Sequence, residues 1–344
     1  MQKTIAIHFE GCSQLLLFAL LCIRVVFAYT DPEIEKLLDS LSDPYHPSLE
    51  DYRLIEHYFQ HGERPYLETI KKCAHVGPSD VDFRIQQLRN CKLVGPNGEM
   101  PIMELHPINV REETQNRCIL IYASYNSHYP QRALRLLDEL RECGYSGHVM
   151  LRIGGFPNVS NEGIKLCTIP FTFRIAFFRE ALYMGFTNIL YMDATMHPLT
   201  DLSIVFDAMD EYGYYSSYTG SGWLTLDCFR AHAEFYNIPV ETRPHVYFIQ
   251  GYVTGLNFTN KKTCQLFEAW GQVMQTIDEF CSIGDDHHFS ELIWRFGFPL
   301  SFPFATTIYV SDFPPAPNSL PPSFLFYMDQ HRAAIRQGWG SLYD

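Results

Sequence analysis

The chain has 344 residues, of which 47% are hydrophobic, 15% aromatic and 19% charged. That composition excludes disordered, fibrous and collagen-like chains and supplies ample material for a packed core. With 26 basic against 39 acidic side chains the net charge is -13; no basic run tracks a phosphate backbone, so no nucleic-acid partner is expected and any bound phosphate must be held locally.

Residues 1–28 read as a secretory leader. Lys3 lies in a short polar head, residues 15–23 are an unbroken apolar run, and Val26-Phe27-Ala28 places small residues where a signal peptidase looks. The alternative is an uncleaved anchor over residues 11–28. Arg24 interrupts that segment, and the apolar run falls short of the roughly 20 residues a spanning helix needs. No other stretch is long and apolar enough to cross a bilayer. The expectation is an exported protein, secreted, lumenal or periplasmic, with no spanning segment after cleavage.

Ten cysteines occur, and Cys12 and Cys22 leave with the leader. The even remainder in an exported chain points to disulfide bonds, although spacing alone sets no pairing. No C-x-x-C pair suggests structural zinc. Cys118 and Cys264 sit in apolar periodic segments, where a small buried hydrophobe is an equal reading. Of the two sequons, Asn158-Val159-Ser160 and Asn257-Phe258-Thr259, the second falls in a core strand and is not expected to carry a glycan.

Residues 29–115 read as an irregular, partly helical N-terminal extension punctuated by prolines, among them Pro96, Pro101 and Pro107. Regular alternation begins at Cys118-Ile119-Leu120-Ile121-Tyr122-Ala123, a continuously apolar strand of the kind buried on both faces. A helix follows, with Pro130 in its first turn and Ala133, Leu136, Leu137 and Leu140 on one face. The next strand is expected at 148–153. A second helix carries Ile175, Phe178, Ala181 and Leu182, and a strand at 188–192 stops abruptly at Asp193. Thr200 is the expected cap of a third helix bearing Leu202, Val205, Phe206 and Met209, before a strand at 214–218. Later helices are expected over 261–280 and from Asp285, which reads as an N-cap before Phe289, Leu292, Ile293 and Phe296. The predicted fold is α/β, a single mostly parallel sheet with helices on both faces, and ligands are expected beyond the carboxyl ends of its strands, where Asn126, Gly154 and Asp193 fall.

Asn188-Ile189-Leu190-Tyr191-Met192-Asp193-Ala194-Thr195 resembles the strand and Asp-x-Asp element of glycosyltransferases with the GT-A, Rossmann-like fold. The opening strand with its polar turn, Arg174 on the helix before the aspartate strand, and the segment Gln250-Gly251-Tyr252-Val253-Thr254-Gly255-Leu256-Asn257-Phe258 resemble that family in the same order. The resemblance covers residues 118–300. It implies a GT-A-like domain over 116–310, followed by a Pro-rich tail at 311–344, and transfer of a sugar from a nucleotide-diphosphate donor to a glycan, lipid or protein hydroxyl. It implies donor-binding roles for Asn126, Arg174, Asp193 and Thr195, with Mn²⁺ or Mg²⁺ on Asp193 neutralising the diphosphate. Thr195 stands where the family has its second acid, which puts metal dependence in doubt and leaves Arg174 to share the neutralising role. Trp223, after Gly220-Ser221-Gly222, is the candidate for stacking on a sugar, and Gly251, Asp285 and His287 are candidates for substrate contact. Asp286 resembles the family's late helical acid and is the candidate catalytic base. Asp193 and Asp285 also read as ordinary turn and cap residues, and His197 as a solvated loop histidine. A catalytically silent carbohydrate-binding or interaction module is the alternative. A metal hydrolase on Asp285, Asp286 and His287 lacks any H-x-x-x-H spacing.

Overall fold

The structure, a computed structural model, describes residues 48–50, 53, 93–125, 128–155, 173–221, 223–225, 233–234, 237–273, 285–298, 309–311 and 324–329. The leader, Asn126, Asn158, Cys73, Cys91, Cys167, Cys228 and Cys281 lie outside them. In chain order the main elements are Ile102–Ile108 (β1), Arg117–Ala123 (β2), Tyr129–Glu142 (α1), Gly147–Ile153 (β3), Phe173–Tyr183 (α2), Asn188–Met192 (β4), Met196–Pro198 (β5), Ser203–Tyr212 (α3), Tyr214–Ser221 (β6), Tyr247–Asn257 (β7), Lys261–Val273 (α4), Asp285–Arg295 (α5), Tyr309–Ser311 (β8) and Phe326–Asp329 (β9).

The apolar runs become strands because both their faces are covered. Residues 118–123 of β2 and all five residues of β4 are buried, and each fully buried aliphatic side chain is worth about 1.5–3 kcal/mol. α1 buries the expected stripe of Ala133, Leu136, Leu137 and Leu140. α2 differs: Arg174, Ile175, Ala176, Phe177, Phe178 and Ala181 are all buried. Its outer side is closed by α4, whose Phe267 and Trp270 pack on Phe178, so no polar stripe remains. A partly buried ion pair, Arg152 to Glu180 at 2.5 Å, ties β3 to α2.

Six strands form one sheet in the order β1-β3-β2-β4-β7-β6. β2 runs parallel to β3 and to β4, whereas β1 pairs antiparallel with β3 and β7 antiparallel with both β4 and β6. The sheet is therefore mixed. β2, β3, β4 and β6 share one direction, but the parallel pairings are confined to β3-β2-β4. An apolar run reports burial on two faces and says nothing of direction, which is why β7 read like its neighbours.

Crossovers from β2 to β3 on one side, and from β3 to β4 on the other, are right-handed as a rule, which places α1 and α2 on opposite faces. The side chains put α2 and α3 on opposite faces too. Tyr191 of β4 meets Phe173 and Arg174 of α2, whereas a Cβ on Gly255, beside Leu190, would strike Met209 of α3. α3 starts two residues later than a Thr200 cap implies: the Thr200 hydroxyl bonds Asp201 O, while the Ser203 N–H donates to Asp201 Oδ1 at 2.5 Å. These bonds from Ser203 hold the Asp201 carboxyl below its usual range.

Two regions that read as irregular contribute strands. Residues 102–108 of the N-terminal extension form β1, an edge strand that tolerates Pro107 because an edge position needs no donor there. In the tail, β9 pairs antiparallel with β5 and parallel with β8 in a three-stranded sheet, and residues 325–328 are buried. Among the described residues no helix is long and apolar enough to cross a membrane. Cys118, Cys143 and Cys264 are unbridged, and burial raises all three thiols above their usual range.

Candidate active site

Strand addition reverses at β2. From β2 the chain crosses to β3 on one side, then returns to place β4 on the other. Open α/β sheets bind ligands beyond the carboxyl ends of strands at such a reversal. Two connections emerge there, the Ser124-Tyr125 loop after β2 and the Asp193-Ala194-Thr195 turn after β4.

The Asp193 turn is closed by its own side chains. Asp193 Oδ1 accepts from the Thr195 N–H at 3.0 Å and from the Thr195 hydroxyl at 2.7 Å, and the Asp193 carbonyl accepts from the Met196 N–H at 2.9 Å. This is the local bonding that lets Asp serve turns. Asp193 retains 9% exposure, while Thr195 has none.

β7 supplies the neighbouring wall. Ser216 of β6 pairs with Thr254, but Ser217 pairs with Gln250, leaving Gly251, Tyr252 and Val253 bulged out of the β6 pairing. Two successive carbonyls in that bulge are used. Tyr252 O accepts from the Asp193 N–H at 2.8 Å, and Gly251 O accepts from Arg174 Nη1 at 2.5 Å. Arg174 is 5% exposed, and its guanidinium carbon lies 5.6 Å from the centre of the Tyr191 ring. A Cβ at Gly251 would overlap that guanidinium, so glycine is needed for the close approach. The fold thus gathers Arg174, Asp193, Thr195 and Gly251 around the carboxyl end of β4.

Asp286 lies in the first turn of α5, which packs on β7. The Ser290 hydroxyl donates to Asp286 O at 2.6 Å and accepts from the Ile249 N–H at 2.9 Å. That bond places the start of α5 beside the strand that leads into Gly251. The side chains of Trp223, Asp285 and His287 lie outside the description, although Trp223 opens a short helical turn and the other two belong to α5.

Sequence reasoning missed the residues behind the turn. His197 is a buried residue of β5, at 8% exposure, and not a solvated loop histidine. Its Nδ1 lies 2.8 Å from Glu139 Oε1, and its Nε2 meets Arg135 Nη1. Arg135 Nη2 donates to Ala194 O at 2.8 Å and to Met196 O at 3.1 Å. Arg135 and Glu139 lie one turn apart on α1, a spacing legible in the sequence; their partners 55 or more residues away are not. As for a divalent cation, no group of three His, Cys, Asp or Glu side chains gathers among the described residues, and Oδ1 of Asp193 is already engaged by Thr195. The described donors do not form a metal cage. Compared with models of known protein families and with curated proteins, the chain matches none.

Proposed function

We propose that the protein is a glycosyltransferase that moves a sugar from a nucleotide-diphosphate donor to a hydroxyl acceptor. The observation that carries this reading is the place of Asp193: it follows the central strand β4 at the reversal of strand order, with a buried guanidinium on the adjacent β7 carbonyl. In this reading Asp193 holds donor hydroxyls or phosphate-bound groups, and Arg174 supplies the positive field toward which the diphosphate is drawn. Asp286 takes the proton of the acceptor hydroxyl as its oxygen bonds to the sugar's anomeric carbon. The bond from that carbon to phosphate breaks, and the nucleoside diphosphate leaves with the electron pair. Gly251, Trp223, Asp285 and His287 are assigned to the sugar and acceptor side.

A silent carbohydrate-binding or interaction module is the second reading, favoured by one observation. Asp193 Oδ1 is taken up by Thr195, so the turn needs its aspartate even with no ligand.

Asp193→Asn and Asp286→Asn distinguish the two, with thermal stabilisation by UDP-, GDP- and CMP-sugars and sugar transfer as readouts. Asn at 193 still accepts from Thr195 but removes the charge. Nucleotide affinity is expected to drop tenfold or more, corresponding to about 1.5–3 kcal/mol for a charged hydrogen bond. Asp286→Asn is expected to keep nucleotide binding and lose transfer. A wild type stabilised by no nucleotide sugar would refute the transferase and leave the module.

A further inference from the structure

We infer that the C-terminal strand β9, acting through His197 and Arg135, is a clasp that sets the conformation of the Asp193 turn, with Arg135 and His197 as positioning residues. One guanidinium grips the turn from behind. Its bonds to Ala194 O and Met196 O pin residues on both sides of Thr195, the residue whose N–H and hydroxyl orient the Asp193 carboxylate.

Arg135 is in turn held from two directions. Glu139 lies 3.6 Å from its Nε one helical turn on, and His197 Nε2 meets its Nη1. A guanidinium can only donate, so Nε2 accepts; the ring proton then sits on Nδ1 and is donated to Glu139 Oε1. The imidazole thus bridges acid and base in a single orientation.

That orientation is set by the tail. His197 pairs with Tyr327 across β5 and β9, and the two rings stack with centroids 4.0 Å apart and planes 14° apart. The Leu199 N–H donates to Leu325 O at 2.9 Å, which extends the attachment past β5. Three stretches distant in sequence, in α1, in the strand after Asp193 and in the tail, therefore meet behind one turn. A turn closed by Asp and Thr alone needs none of them; the arrangement serves to hold the carboxylate in one place.

The inference does not depend on sugar transfer, and its test needs no ligand. Arg135→Met keeps the length and apolar stem and removes the donors; Tyr327→Leu keeps an apolar side chain and removes the stacked ring. Amide hydrogen exchange is followed by NMR or mass spectrometry in the full mature chain. Both variants are expected to speed exchange at Thr195, Met196 and Leu199 at least tenfold while Leu120 and Ile121 in β2 keep wild-type protection. Unchanged exchange at the turn overturns the clasp. So does equal loss of protection in β2, or failure of both variants to fold, since either outcome would make the cluster an ordinary stability element. If the turn loosens but the wild type is stabilised by no nucleotide sugar, the clasp stands and the transferase reading falls.

Discussion

The two ends of β4 each carry a carboxylate oxygen that accepts two hydrogen bonds, and they use it differently. At the amino end Asp210 of α3 accepts from Asn188 Nδ2 at 2.7 Å and from Asn257 Nδ2 at 2.9 Å. Its donors come from β4 and β7, so the carboxylate staples a helix to two strands. At the carboxyl end Asp193 takes both bonds from Thr195, two residues away, and the long-range restraint comes from Arg135 acting on backbone carbonyls instead. The chemistry is the same. The distant donors commit Asp210 to joining elements of the fold; the Thr195 bonds commit Asp193 to the shape of its own turn, and other groups tie that turn to the rest.

Crossing two substitutions tests this contrast most strongly. Asp210→Ala strands two amide groups on residues that are 2% and 5% exposed and is expected to cost about 1–3 kcal/mol of stability, read from chemical unfolding, with nucleotide-dependent stabilisation unchanged. Asp193→Asn is expected to do the reverse, sparing the unfolding midpoint and weakening the proposed nucleotide binding tenfold or more. Equal loss of stability from both would erase the distinction between the two ends.

A third carboxyl sharpens the comparison through pH. Glu291 of α5 has no exposed surface, and burial raises it well above the usual carboxylate range, with Arg295 pulling the other way. In the unfolded chain it ionises near the ordinary value of about 4.3. Between that value and its folded one the native state holds the extra proton, so its contribution to stability is complete at acid pH and is lost as pH rises. Glu291→Gln is expected to match the wild type near pH 4 and to gain stability over it progressively toward neutrality, measured as thermal midpoints across a pH series. A constant offset at every pH would remove the titration from the account.

The smallest effect is an expected zero. Asn257 Nδ2, the atom a glycan would occupy, is buried and bonded to Asp210, while Asn257 Oδ1 accepts from Thr259 N and Oγ1. Expression in a glycosylating host is expected to leave the peptide containing Asn257 unmodified by mass spectrometry. A glycan there would mean that the staple at the amino end forms late or not at all.

Local periodicity settled much of this protein from sequence. The stripe of α1, the limits of β4 and the stop at Asp193 are written in spacings of a turn or two or of one strand. Asp193 was legible as a turn residue for the same reason, although its bonds from Thr195, two residues on, were not read. Strand direction was not legible, because burial leaves the same trace whichever way a strand runs and direction depends on the path between strands. The bulge that presents Gly251 and Tyr252, the buried place of His197 and the entry of β9 behind the turn were decided only by tertiary structure. Each depends on groups dozens of residues apart, and a short buried strand such as Phe326–Asp329 carries no periodicity long enough to announce its partner.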